Sequence, residues 1–264
     1  MIVSIDHFDI KSIAESGQCF RFKQESRDTW SFVAFGQKVT VKQLDDSIDV
    51  SCSKEEWEET FAPYFDATTD YSLVEKIVRD FNDEHLLLSY NKGRGIRILR
   101  QDLWEVIISF LISQNNNIPR IKSIIEKLCS EAGVPAKGKP GIYAFPNPFD
   151  LSEDFFDTHE LGLGYRKDYL KEMYSFARKN PDWLSFLQTL SYEDARRELL
   201  LRKGIGPKVA DCICLFGLHH IDAFPVDTHV KELLNKYYSG SLDVSRFNGY
   251  AGIIQQYLFY YEIT

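Results

Sequence analysis

Lys208 and Asp227 are the residues from which chemistry can be built. Lys208 follows the turn Lys203-Gly204-Ile205-Gly206-Pro207 and precedes an apolar run, 209–218. Two glycines one residue apart allow a sharp bend that turns backbone N–H groups outward. Pro207 suits the first position of a helix, where its missing donor costs nothing. The helix so begun aims its free N–H groups and partial positive charge at whatever lies before the turn, and a phosphate is the natural guest. The helix dipole disfavours a cation in a first turn, so Lys208 is easier to find there as a free amine, and an amine is a nucleophile. Asp227 lies 227 − 208 = 19 residues on, before Thr228-His229, where it is placed to cap a second helix with an oxygen to spare. Taken singly, each piece has a plainer reading as an ordinary turn, a solvated lysine and a structural cap. Together, over 200–229, they suggest an amine and a carboxylate meeting over a nucleic-acid backbone.

Those side chains need elements to hold them. Ser191, with Glu193 and Asp194 in the first turn, caps a helix that runs to Leu201, which makes 191–218 a helix-hairpin-helix. Residues 101–114, opened by Asp102, read as an apolar core helix that three asparagines and Pro119 then break. The segment 133–148 reads as a Gly- and Pro-rich loop, and 248–259 as an amphipathic last helix. At the other end, 29–35 and 38–44 alternate as strands about a Gly36-Gln37 turn, 47–50 continues the meander, and 2–52 reads as β structure. Helical spacing starts at 53, with apolar stripes over 55–61 and 72–81. A break at 91–95 sets the expected domains at 1–92, containing the sheet, and 93–264, helical and catalytic. The fold class expected is α+β: a small N-terminal antiparallel sheet joined to a mainly helical domain, with the site in the cleft between.

Composition narrows the partners. The 264 residues are 44% hydrophobic and 27% charged, enough for a sizeable core. The net charge of −8 argues against nucleic acid as a partner unless the charge is unevenly spread. It is: Lys92, Arg94, Arg97, Arg100, Arg120, Lys122 and Lys127 face only Asp102, Glu105 and Glu126 over 92–127, whereas 45–84 is dominated by carboxylates. No apolar run approaches the ~18 residues of a membrane span, and the N-terminus lacks a basic stretch followed by an apolar one, so neither membrane nor secretion is expected. Cys19, Cys52, Cys129, Cys212 and Cys214 show no C-x-x-C and no zinc spacing, which fits a reduced compartment: cytoplasmic, or nuclear in a eukaryote.

The hairpin, Lys208 and Asp227, in the wording KVADCICL with PVDTH, resemble the helix-hairpin-helix DNA glycosylases, and specifically their 8-oxoguanine branch. Blocks from Ser16 to Phe259 match in the same order. The resemblance implies a bifunctional glycosylase and lyase acting on duplex DNA, with Lys208 as nucleophile and Asp227 as its carboxylate. Gly17, in Ser16-Gly17-Gln18-Cys19, is by itself a turn into a strand; by resemblance its carbonyl accepts from the ring nitrogen protonated only in the oxidised base. Gln255 and Phe259, which as i and i+4 share a helix face, read the base's edge and stack on it. Cys212 makes the opposite wall, though it reads equally as a small buried hydrophobe. Asn115 fills the vacated gap, Tyr165 wedges into the stack, and Arg120 and Arg166 donate to the orphan cytosine. Lys203, Gly204, Gly206 and His229 face phosphates. The motif departs from the family's usual form in carrying Arg202-Lys203 where Leu-Pro is commonest. Carbonyls of Leu200, Arg202 and Ile205 would hold a monovalent cation; no metal ion or other cofactor is required. The absence of any cysteine after Cys214 separates the chain from iron–sulfur relatives. A monomer is expected. Two rivals stand: an alkylated-base glycosylase, whose family keeps the aspartate but lacks the hairpin lysine, and a non-catalytic hairpin module that only grips DNA.

Overall fold

The computed structural model of the chain describes residues 1–137, 141–247 and 249–264. Residues 138–140 of the expected loop and Asn248 of the expected last segment lie outside them. Five strands, β1 (Ile2–Val3), β2 (Lys23–Ser26), β3 (Thr29–Ala34), β4 (Gln37–Gln43) and β5 (Ile48–Val50), form one antiparallel sheet in the order β1-β5-β4-β3-β2. The β3–β4 hairpin pairs Ala34 with Gln37 around Phe35-Gly36, both at positive φ. The turn thus sits one residue before the expected Gly36-Gln37, because a two-residue loop of this twist needs φ above zero at both positions. Cross-strand pairs Trp30–Val41 and Phe32–Val39 put the apolar side chains on one face. After the short α2 (Lys54–Glu56), that face packs on a π-helical turn (Trp57–Phe61) and α3 (Ala62–Tyr64), where the rings of Phe32 and Tyr64 stack at 5.1 Å.

Not all of 2–52 is β. Helix α1 (Ile10–Glu15) interrupts it, capped by Asp9, whose side chain accepts from the Ser12 N–H at 2.6 Å. Six residues are too short for helical periodicity to show against a strand-rich background.

The second core is helical. It gathers α4 (Ser72–Phe81), α5 (Glu84–Gly93), α6 (Leu103–Ser113), α7 (Ile118–Ala132), α8 (Phe155–Thr158), α9 (Arg166–Lys179), α10 (Trp183–Gln188), α11 (Tyr192–Leu200), α12 (Pro207–Phe216), α13 (Thr228–Tyr237) and α14 (Ala251–Ile263). Every residue of α6 from 103 to 112 is buried, Glu105 only in part, so it runs through the middle of this core. The last helix, α14, is buried all along 251–258 rather than on one stripe, which corrects the amphipathic reading. Val74, Val78, Leu86 and Tyr90 of α4 and α5 also belong here. The two cores also interleave along the chain, since Phe20 belongs to the helical one and Leu99 to that of the sheet. An amphipathic helix advertises that it has a buried face, not which core that face joins.

A set of buried polar contacts fixes one core against the other. The Gln18 side chain donates to the Arg97 carbonyl at 3.0 Å and accepts from the Leu99 N–H at 2.8 Å. The Arg97 guanidinium is 2% exposed and donates to the carbonyls of Asp6, Phe65, Asp66 and Thr69. Arg97, expected on a basic face, is thus an internal strut.

Candidate active site

Gly206 caps α12 without any side-chain hydrogen bond, and Pro207 occupies the first turn, so the N–H groups at the start of this helix are open to a ligand. Gly204 holds φ +85° and lies so near α9 that a Cβ there would stand 2.6 Å from the Tyr169 ring. Only glycine makes this turn between α11 and α12. Lys208, in the first turn of α12, is partly buried, with its Nζ 5.3 Å from the Phe110 ring centre. Asp227 caps α13, accepting from the Val230 N–H at 2.9 Å with one carboxylate oxygen. Cap geometry leaves the other oxygen free to face α12.

Lys208 and Asp227 line one cavity of about 40 Å³, together with Gly17, Cys212, Gln255 and Phe259. Six of the expected residues thus converge from four parts of the chain. Ser16, Phe110, Phe216, Pro225 and Gln256 complete the wall. Of these, Gln256 had a readable signal: two adjacent glutamines in an otherwise apolar helix are costly unless used. The aromatic floor had none, because Phe110 and Phe216, stacked at 5.5 Å, look like core residues. Burial pushes the Cys212 thiol up to about 11, while Lys208 beside it pulls the other way. It stays a thiol near neutral pH and acts as wall rather than nucleophile. The slot is closed. Gly17 sits at φ +77°, and a Cβ on it would meet Phe259 at 3.3 Å. A volume of about 40 Å³ holds a few waters at most, too little for a purine with Phe259 where it stands.

A second group collects around the turn between α6 and α7. Asn115, at φ +45°, is exposed and donates from Nδ2 to the Tyr165 hydroxyl at 3.2 Å. Tyr165 is 50% exposed, and the Arg120 side chain donates to the Gly162 carbonyl at 3.1 Å. Arg166 differs from expectation. Its guanidinium is buried, donating to the carbonyls of Gln114, Asn115 and Leu163 and lying over the Tyr165 ring at 4.6 Å. In this structure it clamps the asparagine turn instead of offering itself to a base, because the carbonyls beside it, two just past the end of α6 and one just before α9, need donors.

One of the four expected phosphate contacts is also qualified. The Lys203 ammonium is paired with Glu172. His229 is exposed on α13, its ring 6.2 Å from that of Phe259. Gly204 and Gly206 lie at the hairpin as expected.

Comparison with known proteins decides the family. The family model 8-oxoguanine DNA glycosylase, N-terminal domain, matches residues 1–107. The N-glycosylase/DNA lyase OGG1 of Arabidopsis thaliana is 31% identical over 94% of this chain and 75% of its own length. The chain belongs to the 8-oxoguanine DNA glycosylase family. The N-glycosylase/DNA lyase of Saccharomyces cerevisiae is 39% identical to this glycosylase over 163 residues, 55% of this chain and 42% of the yeast enzyme. The matched stretch thus spans less than half of that relative. The 8-oxoguanine glycosylase/lyase of Clostridium acetobutylicum, solved with double-stranded DNA containing cytosine opposite 8-oxoguanine, superposes with a TM-score of 0.87 at 33% identity, covering 99% of this glycosylase and 97% of that chain. The small sheet with a helical body, α+β as expected, is the fold these proteins share. No helix among the described residues is long and apolar enough to cross a membrane.

Proposed function

We propose that the protein excises 8-oxoguanine from duplex DNA and then nicks the strand. The observation that carries this is the convergence of Lys208 and Asp227 on one cavity whose far wall is Gly17, Gln255 and Phe259. The damaged nucleotide leaves the stack and displaces the Phe259 ring to enter. Lys208 attacks the anomeric carbon of the deoxyribose as the bond to the base breaks, its electrons leaving with the base. The Asp227 carboxylate stabilises positive charge developing on the sugar. The attacking nitrogen loses a proton, the C1′–O4′ bond breaks with O4′ taking a proton, and the resulting Schiff base allows loss of a C2′ proton and cleavage of the 3′ C–O bond. The Gly17 carbonyl faces an N–H in 8-oxoguanine and a lone pair in guanine. Two acceptors opposed in a closed pocket cost about 1–3 kcal/mol, which rejects the normal base.

Asn115 and Tyr165, linked at the surface, enter the gap and the stack, while Arg120 donates to the orphan cytosine. Forked donors suit its two adjacent acceptors. Arg166 contacts that cytosine only by releasing its carbonyls, so its first duty is to hold Asn115 in place. Gly204, Gly206, Lys203 and His229 receive the phosphates, Lys203 on leaving Glu172. Carbonyls of Leu200, Arg202 and Ile205 would hold a monovalent cation that brings positive charge to a phosphate. The Arg202 carbonyl already accepts from the Ile205 N–H at 3.1 Å and would share its second lone pair. No step needs a cofactor. Five free cysteines, four of them buried, suit a reducing, DNA-containing compartment, cytoplasmic or nuclear, and the enzyme acts as a monomer. A lysine inside the cavity disfavours the alkylated-base reading, which activates water instead.

Borohydride trapping tests the proposal. Wild type is expected to form a covalent adduct with duplex bearing 8-oxoguanine opposite cytosine, and Lys208→Gln to form none. An adduct of undiminished yield in Lys208→Gln removes that residue from its role.

A further inference from the structure

The sequence singles out Gln255 as the reader of the base, but the cavity holds a second amide. Gln256 is 3% exposed and lines the same slot. Its Nε2 donates to Gln255 Oε1 at 3.0 Å, and its own Oε1 is buried without a partner. Among the described residues it is the one cavity-lining side-chain oxygen or nitrogen in that state. A buried amide oxygen left bare in an apolar helix is a standing cost, tolerated where a ligand will supply the donor.

Guanine-type bases supply such a donor. Their Watson–Crick edge carries one acceptor, O6, and two donors, the ring N1–H and the exocyclic amino group. Gln255 Oε1 already accepts from Gln256 and has one lone pair left, too few for both donors. Resting on the function proposed above, we propose that Gln256 is a second reader of the flipped base. Its Oε1 accepts from the exocyclic amino group, while its Nε2 holds the Gln255 amide in one orientation. The pair makes the site selective for oxidised purines that carry a 2-amino group. An analogue lacking that group leaves Oε1 bare in a closed pocket, the situation in which polar sites discriminate most strongly.

The test compares 8-oxoguanine with 8-oxohypoxanthine, which has hydrogen in place of the amino group, in the same duplex opposite cytosine. Wild type is expected to release 8-oxoguanine at least about tenfold faster by kcat/KM. In Gln256→Met, which keeps the volume but not the amide, that preference collapses to within about twofold. A second measurement needs no variant: wild-type protein should bind free 8-oxoguanine about tenfold more tightly than free 8-oxohypoxanthine by calorimetry. Equal loss on both lesions in Gln256→Met would mark the residue as structural and overturn the inference alone, as would equal affinity of wild type for the two free bases. A wild type that releases neither lesion overturns the function reading and this inference with it.

Discussion

Asp227 does two things with one carboxylate. It caps α13 through the Val230 N–H and turns toward the cavity it shares with Lys208. Asparagine caps a helix about as well as aspartate. Asp227→Asn is therefore expected to cost under about 1 kcal/mol of stability and to keep DNA binding within a few-fold, while single-turnover excision slows by about 100-fold or more. Parallel loss of binding and excision would make the residue chiefly structural. Gly17 sets the other side of the slot. Gly17→Ala adds a methyl 3.3 Å from the Phe259 ring at a φ of +77°, a conformation that L residues rarely adopt. Expected is near-complete loss of excision with gel-shift affinity for undamaged duplex almost unchanged, because the methyl intrudes on the base and not on the backbone contacts.

At the scale of elements, α6 begins with a titratable strain. Burial pushes the Glu105 carboxyl up to about 7, against the pull of the Arg21 guanidinium, with Asp102 and Glu126 adding repulsion. The folded protein then binds a proton more tightly than the unfolded chain does. Between about pH 4.5 and 7 this group holds more protons folded than unfolded, so its contribution to stability falls as pH rises. Glu105→Gln is expected to flatten that slope and to be more stable than wild type at pH 8 by about 1–3 kcal/mol in urea titrations. A variant no more stable there would mean that the acid stays ionised at little cost. The hairpin carries a simpler expectation. Gly204→Ala must move either its backbone or the Tyr169 ring 2.6 Å from the new methyl, and a loss of about 2 kcal/mol, read by thermal melting, should follow.

The whole molecule depends on a join that sequence spacing does not reveal. Arg97 ties Asp6, Phe65, Asp66 and Thr69 by their carbonyls, and Gln18 ties the residue after Gly17 to Arg97 and Leu99. Arg97→Lys keeps the charge but loses the fork. Stability should fall by about 2–4 kcal/mol, whereas the salt dependence of DNA affinity stays as in wild type. A shallower salt slope would return Arg97 to the DNA-facing surface.

The proposed catalytic pair, Lys208 and Asp227, the hairpin glycines and the caps at Asp102, Ser191 and Asp227 could be read from the chain, because turns and first helical turns are decided by local residue types. The α+β class and the β3–β4 hairpin were legible for the same reason: alternation is a local signal. The rest needed the folded molecule. Which core α4 and α5 join, why Arg97 and Arg166 turn inward to feed carbonyls, how Phe259 closes the slot over Gly17, and that Gln256 presents a bare oxygen beside Gln255 all depend on groups distant in sequence. A side chain's type states what it can bond; only its neighbours in space decide which bonds remain to be made.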